Sequence, residues 1–218
     1  MPLPVIDATH ATALLTDAGE QLGVNLTHEA AARLISYLAL IAKWNKVYNL
    51  TAVRKPDEMM THHLLDSLAV IAPLQRHMAQ GSLLDVGSGA GLPGVVIAIC
   101  CPNINVTCVD TVAKKATFIK QVALELKLPN LVGLHARVES IEQTFDVICS
   151  RAFASLPDFT QWSAQALAPA GVWMAMKGKH PADELAALPA SVNVFHVEQL
   201  HVPELDAERC VVWMRRRG

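Results

Sequence analysis

The order of apolar and polar positions changes character near residue 82. Before it, from about Asp7 to Ala72, apolar residues recur at steps of three and four. Ala30, Ala31, Leu34, Ile35, Leu38, Ile41 and Ala42 form such a series behind Thr27, a residue type suited to accept bonds from the first free amides of a helix. A long amphipathic helix is predicted there. Pro56, Asp57 and Glu58 have the composition of another first turn, with Leu64, Leu65, Leu68 and Ala69 sharing a face behind it. No strand signal precedes residue 82.

Beyond that point the chain carries seven apolar runs of strand length: Leu83–Val86, Ile104–Val109, Leu131–Leu134, Val147–Cys149, Val172–Met176, Val192–Val197 and Cys210–Met214. Helix-length segments separate the first five, and such alternation implies a mostly parallel sheet covered on both faces. Only Glu198 to Arg209 lies between the last two runs, too short for a crossover helix, so an antiparallel pair is expected. The predicted architecture is α/β: a helical extension over residues 1–80, packed on a seven-stranded, doubly wound, mostly parallel Rossmann-like sheet over 81–218.

Composition narrows the classes. At 52% hydrophobic and 17% charged residues, a chain of 218 residues can bury a substantial core. No apolar run approaches the roughly 18 residues of a membrane helix, and Met1–Asp7 lacks a basic region followed by an apolar segment, so a cytoplasmic location away from membranes is expected. Cys100, Cys101, Cys108, Cys149 and Cys210 show no C-x-x-C spacing, which predicts free thiols and no metal. The net charge of -2 announces no nucleic acid, so RNA contact would rest on local groups: Arg54-Lys55, Lys114-Lys115, Lys177-Gly178-Lys179 and Arg215-Arg216-Arg217.

The most informative segment is Leu83-Leu84-Asp85-Val86-Gly87-Ser88-Gly89-Ala90-Gly91-Leu92-Pro93-Gly94, a strand that ends in a glycine-rich turn and enters an apolar helix. Residues 89–94 satisfy the dinucleotide pattern G-x-G-x-x-G, with Asp110 about twenty residues on. Residues 85–91 satisfy the methyltransferase pattern D-x-G-x-G-x-G. Charge separates the two. A pyrophosphate at this turn would be opposed by Asp85, whereas S-adenosylmethionine brings an ammonium and a sulfonium and no phosphate. Gly87 also follows the strand directly, while the dinucleotide reading begins two residues later. Asp110, ending the second run, can accept bonds from ribose hydroxyls or cap the next helix, and Val138-Glu139 falls where an adenine can be held.

Five segments together resemble the small-subunit rRNA guanine-N7 methyltransferases, the glucose-inhibited division protein B family. They are Lys43–Thr51, His63–Leu68, Asp85–Gly94, Ser150–Leu156 and Met176-Lys177-Gly178, in the family's order and spread from about residue 20 to the end. The resemblance implies a class I methyltransferase fold, S-adenosylmethionine as donor, and methylation at N7 of a guanine in the 530 loop of bacterial 16S rRNA. It also implies the 16S rRNA or the 30S subunit as partner, with no DNA and a monomeric state. By matched position, Gly87, Leu92, Val138, Glu139 and Arg151 contact the donor. Asp85, Gly89 and Asp110 join them from the reading of the loop.

Guanine N7 has an in-plane lone pair and no proton, so its methylation needs no general base and none is assigned. The Asn-Pro-Pro-Tyr-type motif of amine methylation is missing after the fourth run, where the chain reads Cys149-Ser150-Arg151-Ala152-Phe153. Cys149 is read as core rather than nucleophile. Asn49, His63, Arg151 and Lys177 are the candidates for positioning the target; Arg151 ends a strand and can hold an anion bidentately. Trp44 and Tyr48 share a helical face, with packing preferred to base stacking, and Phe153 is a candidate to stack on the base or close the pocket. Competing expectations are a methyltransferase for a small molecule or protein and an NAD-dependent oxidoreductase.

Overall fold

Residues 8–218 are described in the computed structural model; Met1–Asp7, on which the reading of the amino terminus rests, lie outside it. α1 (Ala8–Gln21) leads to α2 (His28–Tyr48), whose first turn is closed by the Thr27 hydroxyl accepting from the Ala30 amide at 3.1 Å. α2 stops where Asn49 turns left-handed, at φ 49°. Leu34, Tyr37, Leu38 and Ile41 are buried along its predicted face, while Ala30, Ile35 and Ala42 are half-buried at the margin.

The helix predicted from Pro56 is interrupted. α3 (Pro56–Met59) widens into a π-helical turn (Met60–Leu65), then narrows again to α4 (Asp66–Leu68), followed by α5 (Ile71–His77). The Asp66 amide reaches back five residues to the Thr61 carbonyl, the mark of a π turn, and such turns occur frequently at functional sites. Leu64, Leu65 and Leu68 are buried as the pattern predicts, but so are His63 and Asp66, which the pattern does not.

Every predicted apolar run forms a strand. β1 (Gly81–Val86), α6 (Gly94–Cys100), β2 (Ile104–Asp110), α7 (Ala113–Glu125), β3 (Leu131–His135) and β4 (Phe145–Arg151) follow in order. Then come α8 (Leu156–Ser163), β5 (Leu167–Lys177), α9 (Ala182–Ala186), β6 (Val192–Leu200) and β7 (Arg209–Arg216). The sheet order is β3-β2-β1-β4-β5-β7-β6, parallel from β3 through β5, with β7 antiparallel to both of its neighbours. β1 is flanked by β2 and β4 in register, Val86 opposite Val109 and Ser150. The loops leaving these three strands therefore converge at one carboxyl edge.

Successive side chains of a strand point to opposite faces, and both faces are covered. Leu83, Val106 and Val147 belong to a cluster that also contains Leu34, Tyr37 and Ile41 of α2, Ile97 of α6 and Phe118 of α7. Leu84, Val86 and Ile148 belong to the opposite cluster with Phe159 and Trp173. The first cluster is continuous from the amino-terminal helices into the sheet. Tyr37 extends the link to the carboxyl edge: its hydroxyl, inside the core, donates to the Ala90 carbonyl at 2.6 Å. Tyr37→Phe leaves that carbonyl without its partner, and a loss of about 1–3 kcal/mol is expected in urea unfolding. A midpoint unchanged from the parent would show that the bond contributes nothing.

Candidate active site

The turn after β1 is built on three left-handed glycines, Gly87 at φ 65°, Gly89 at 59° and Gly91 at 94°. L-residues pay about 1–2 kcal/mol to adopt this conformation. These are the three glycines of the D-x-G-x-G-x-G reading. A side chain at Gly87 would run into the Phe153 ring, whereas one at Gly89 would meet open space with no heavy atom nearer than 4.0 Å. The turn thus presents bare backbone outward. Gly94 has an ordinary φ; its lack of a side chain makes room for Asp85 and Cys108 against the start of α6.

Asp85 lies beneath the turn and lines neither neighbouring cavity, in contrast to the expectation that it faces the donor. Its Oδ2 accepts from the Gly94 amide at 2.9 Å, tying the end of β1 to the first turn of α6. Burial raises its pKa from 3.8 to about 7, so its charge is weakened at neutral pH. Asp85 therefore opposes a pyrophosphate at this turn less strongly than a full carboxylate charge would.

Two cavities open on either side of the turn and share Gly87 and Ala152. The smaller, about 340 Å³, is lined by Asp110, Val138, Glu139, Phe153 and Trp162, among others. Asp110 does not cap α7, which starts after Val112. Its Oδ1 accepts from the Val112 amide at 2.8 Å and its Oδ2 from the Gly89 amide at 3.0 Å, with Lys115 Nζ at 3.5 Å. A carboxylate has about four lone-pair sites, so both oxygens retain acceptor capacity toward the cavity. Phe153 stands edge-on to Trp162, ring centres 5.9 Å apart.

The larger cavity, about 630 Å³, is lined by Gly89, Leu92, His63, Arg151 and Lys177 of the predicted residues. His63 Nε2 lies 3.0 Å from the Thr51 hydroxyl, and burial, reinforced by the Arg151 charge, lowers its pKa to about 4. Near neutral pH it is an uncharged ring. Lys177 donates to the Ala154 carbonyl at 3.0 Å and to Glu184 at 2.7 Å. Arg151 donates through Nη1 to Asp66 at 2.7 Å and to the His62 carbonyl at 2.8 Å.

Of the four residues predicted to position the target, Asn49 does not join the cavity. It ends α2 and accepts from Arg54 at 3.0 Å on the exposed side. The buried Asn45 instead shapes the lining, accepting from the Thr51 amide at 3.0 Å and donating to the Val53 carbonyl at 3.3 Å. Trp44 packs against Phe118 at 5.3 Å, in keeping with the packing role preferred for it, with the Tyr48 ring tilted against it at 5.1 Å. Cys149 is wholly buried and burial raises its thiol pKa well above the usual value, which suits core and not a nucleophile. Asp66 and Arg209 line the cavity without having been singled out in the sequence.

A dinucleotide fold has the parallel order 3-2-1-4-5-6, and β7 reversed between β5 and β6 departs from it. The reversed strand and the D-x-G-x-G-x-G loop at the carboxyl edge define a class I S-adenosylmethionine-dependent methyltransferase, and the oxidoreductase alternative falls. A crystal structure of a SAM-dependent methyltransferase from Aquifex aeolicus is similar over 76% of this chain and 96% of that one, with TM-score 0.56 and 16% identity, a likeness of fold.

The family follows from the sequence comparisons. The GidB family model, rRNA small subunit methyltransferase G, matches residues 30–212. The ribosomal RNA small subunit methyltransferase G of Polaromonas naphthalenivorans is 71% identical over 202 residues, 90% of this chain and 91% of that protein. The protein of the same name from Acidovorax sp. is 60% identical over 223 residues, covering 98% and 99% of the two chains. The chain belongs to the GidB family of rRNA small subunit methyltransferases, and its methyl donor is S-adenosylmethionine.

Two outcomes test this geometry. Gly87→Asp forces a side chain against Phe153 at a left-handed position, and donor affinity measured by calorimetry should fall about tenfold or more while the far-ultraviolet dichroism stays that of the parent; unchanged affinity would refute the placement. Asp85→Asn addresses the buried acid. Because the native pKa lies near 7 against 3.8 for the free group, the folded protein binds the extra proton between those values and loses stability as pH rises through that window. The asparagine variant lacks this dependence. Its stability relative to the parent should rise from pH 4 to pH 8 by on the order of 4 kcal/mol at most, and parallel pH curves in urea unfolding would count against the shift.

Proposed function

We propose that this protein transfers a methyl group from S-adenosylmethionine to N7 of a guanine in the 530 loop of 16S rRNA, acting as a monomer in the cytoplasm. The observation that carries this reading is the pair of cavities joined at Gly87 and Ala152: one holds a buried-edge carboxylate and an aromatic wall, the other a lining in which Asp66, Glu58 and Lys177 are held in ion pairs. Among the described residues no helix is long and apolar enough to cross a membrane. The described helices before residue 81 are read as the cap that encloses the larger cavity over the 81–218 sheet.

The residues fit the donor. Asp110 offers carboxylate oxygens for the ribose hydroxyls, Val138 and Glu139 line the place of the adenine, and Gly87 and Gly89 let the ligand approach main chain without a side chain between. Leu92 and Arg151 border the other half. When bound, S-adenosylmethionine supplies an electrophilic methyl on a positively charged sulfur.

The larger cavity suits an acceptor that has no proton to lose. Asp66 is committed to two arginines, Lys177 to Glu184, and Glu58 to Lys55 at 2.9 Å, while His63 is bonded to Thr51. Guanine N7 asks of these groups only alignment, which can contribute about 7–11 kcal/mol in favourable cases. His63, Arg151 and Lys177 bound the space where the base would be held, and Phe153 borders the adjoining half.

The test is methyl transfer to 30S subunits and to naked 16S rRNA from cells lacking the gene, with the product mapped by the strand scission to which N7-methylguanine is prone. One methylated guanine in the 530 loop is expected, with kcat flat from pH 6 to pH 8.5. Methyl incorporation only into protein or metabolites would end the reading, and incorporation at another base atom would end the N7 assignment.

A further inference from the structure

Three charged side chains meet on one wall of the 630 Å³ cavity in an arrangement that is more than an ion pair. Asp66, 4% exposed, accepts from Arg151 Nη1 at Oδ2 and from Arg209 Nε at Oδ1, each at 2.7 Å. The arginines come from different strands, the end of β4 and the start of β7. Each is also anchored to main chain at 2.8 Å, Arg151 on His62 and Arg209 on Glu208. Other charges of the lining are balanced by their own neighbours, Lys177 by Glu184 and Glu58 by Lys55. The triad therefore holds two positive charges against one negative.

Resting on the reading of this cavity as the transfer site, we infer that Asp66 is a positioning and charge-balancing residue, which fixes Arg151 and Arg209 along the wall and lowers the positive potential that a sulfonium donor meets there. A guanidinium does not lose its proton in a protein, so two of them facing one cavity stay charged whatever occupies it. A carboxylate bonded to both restrains their geometry and offsets half of their charge. S-adenosylmethionine and its product S-adenosylhomocysteine share every group except the methyl, and the product, a thioether, carries one positive charge fewer. The potential of the wall thus acts on the two affinities unequally, whereas a general disturbance of the site acts on both alike.

The two partners of the triad predict opposite changes. Asp66→Asn removes the negative charge while keeping an oxygen acceptor, and the ratio of S-adenosylmethionine to S-adenosylhomocysteine affinity, each measured by calorimetry on the full chain, should fall about tenfold, a change of about 1.4 kcal/mol. Arg209→Gln removes one positive charge, and the same ratio should rise by about threefold or more. Asp66→Glu, which keeps the charge, should return the ratio to within about threefold of the parent. In methyl transfer to 30S subunits, Asp66→Asn should lower kcat by about tenfold or more at saturating donor. If Asp66→Asn does not fold, Arg209→Gln decides alone, and an unchanged or lowered ratio overturns the inference. Equal weakening of both ligands by Asp66→Asn overturns it too and leaves the donor site standing. A parent protein that binds neither ligand overturns the donor site and this inference together.

Discussion

A single buried hydrogen bond sets the shape on which the site depends, that from the Gly94 amide to Asp85. It joins the end of a strand to the first residue of a helix across nine residues, and everything between them must form a tight arch. The arch is tight because Gly91 and Leu92 both donate back to the Ser88 carbonyl, at 2.7 and 3.0 Å, while Gly87 and Ser88 donate to Val109 of the neighbouring strand. With its ends fixed from below and its flank tied to β2, the arch has little freedom left. Three positions accept left-handed geometry at no side-chain cost because they are glycine. Pre-organisation of this kind lets backbone rather than mobile side chains form the floor of both cavities.

The helical segment completes what the arch begins. Tyr37 reaches from α2 to the Ala90 carbonyl, and Asn45, about two turns further along the same helix, orders the stretch from Leu50 to Val53 that walls the larger cavity. The π turn then brings His63 and Asp66 to the same wall. The apolar cluster is continuous from α1 through the sheet, so displacement of these helices would be felt at the arch. Arg151 closes the circuit, since its one guanidinium touches the main chain of His62 and the carboxylate of Asp66 from the end of β4.

Much of this was legible in the sequence, for reasons that differ by element. The seven strands were readable because a sheet covered on both faces needs near-continuous apolar runs, and the short Glu198–Arg209 connection left the last pair only an antiparallel solution. Thr27 as cap was readable because it bonds an amide three residues on, and the glycines of the arch because left-handed φ is a demand on the residue itself. The π turn was not, since its apolar residues keep helical spacing through the wider turn. Asp66 and Arg209 were not legible as partners because 143 residues separate them, and each looks in isolation like an ordinary surface charge. Asp85 was seen but misplaced: its spacing marks it as part of the loop, while its depth is a property of β1 standing between β2 and β4. Asn49 was misplaced in the opposite sense, outside the cavity that its neighbour Asn45 helps to build.

The net charge of -2 announces no polyanionic substrate, but that sum is a poor guide. Charges separated by more than a Debye length, roughly 8 Å at physiological salt, are largely screened from one another. What a polyanion meets is therefore the local balance. At the mouth of the larger cavity that balance is positive: Arg151 and Arg209 face one buried carboxylate, and the acids that pair Lys177 and Lys55 only cancel their own partners. A surplus confined to the cavity also favours orientation over adhesion, because an anionic backbone gains most where its neighbouring base can enter.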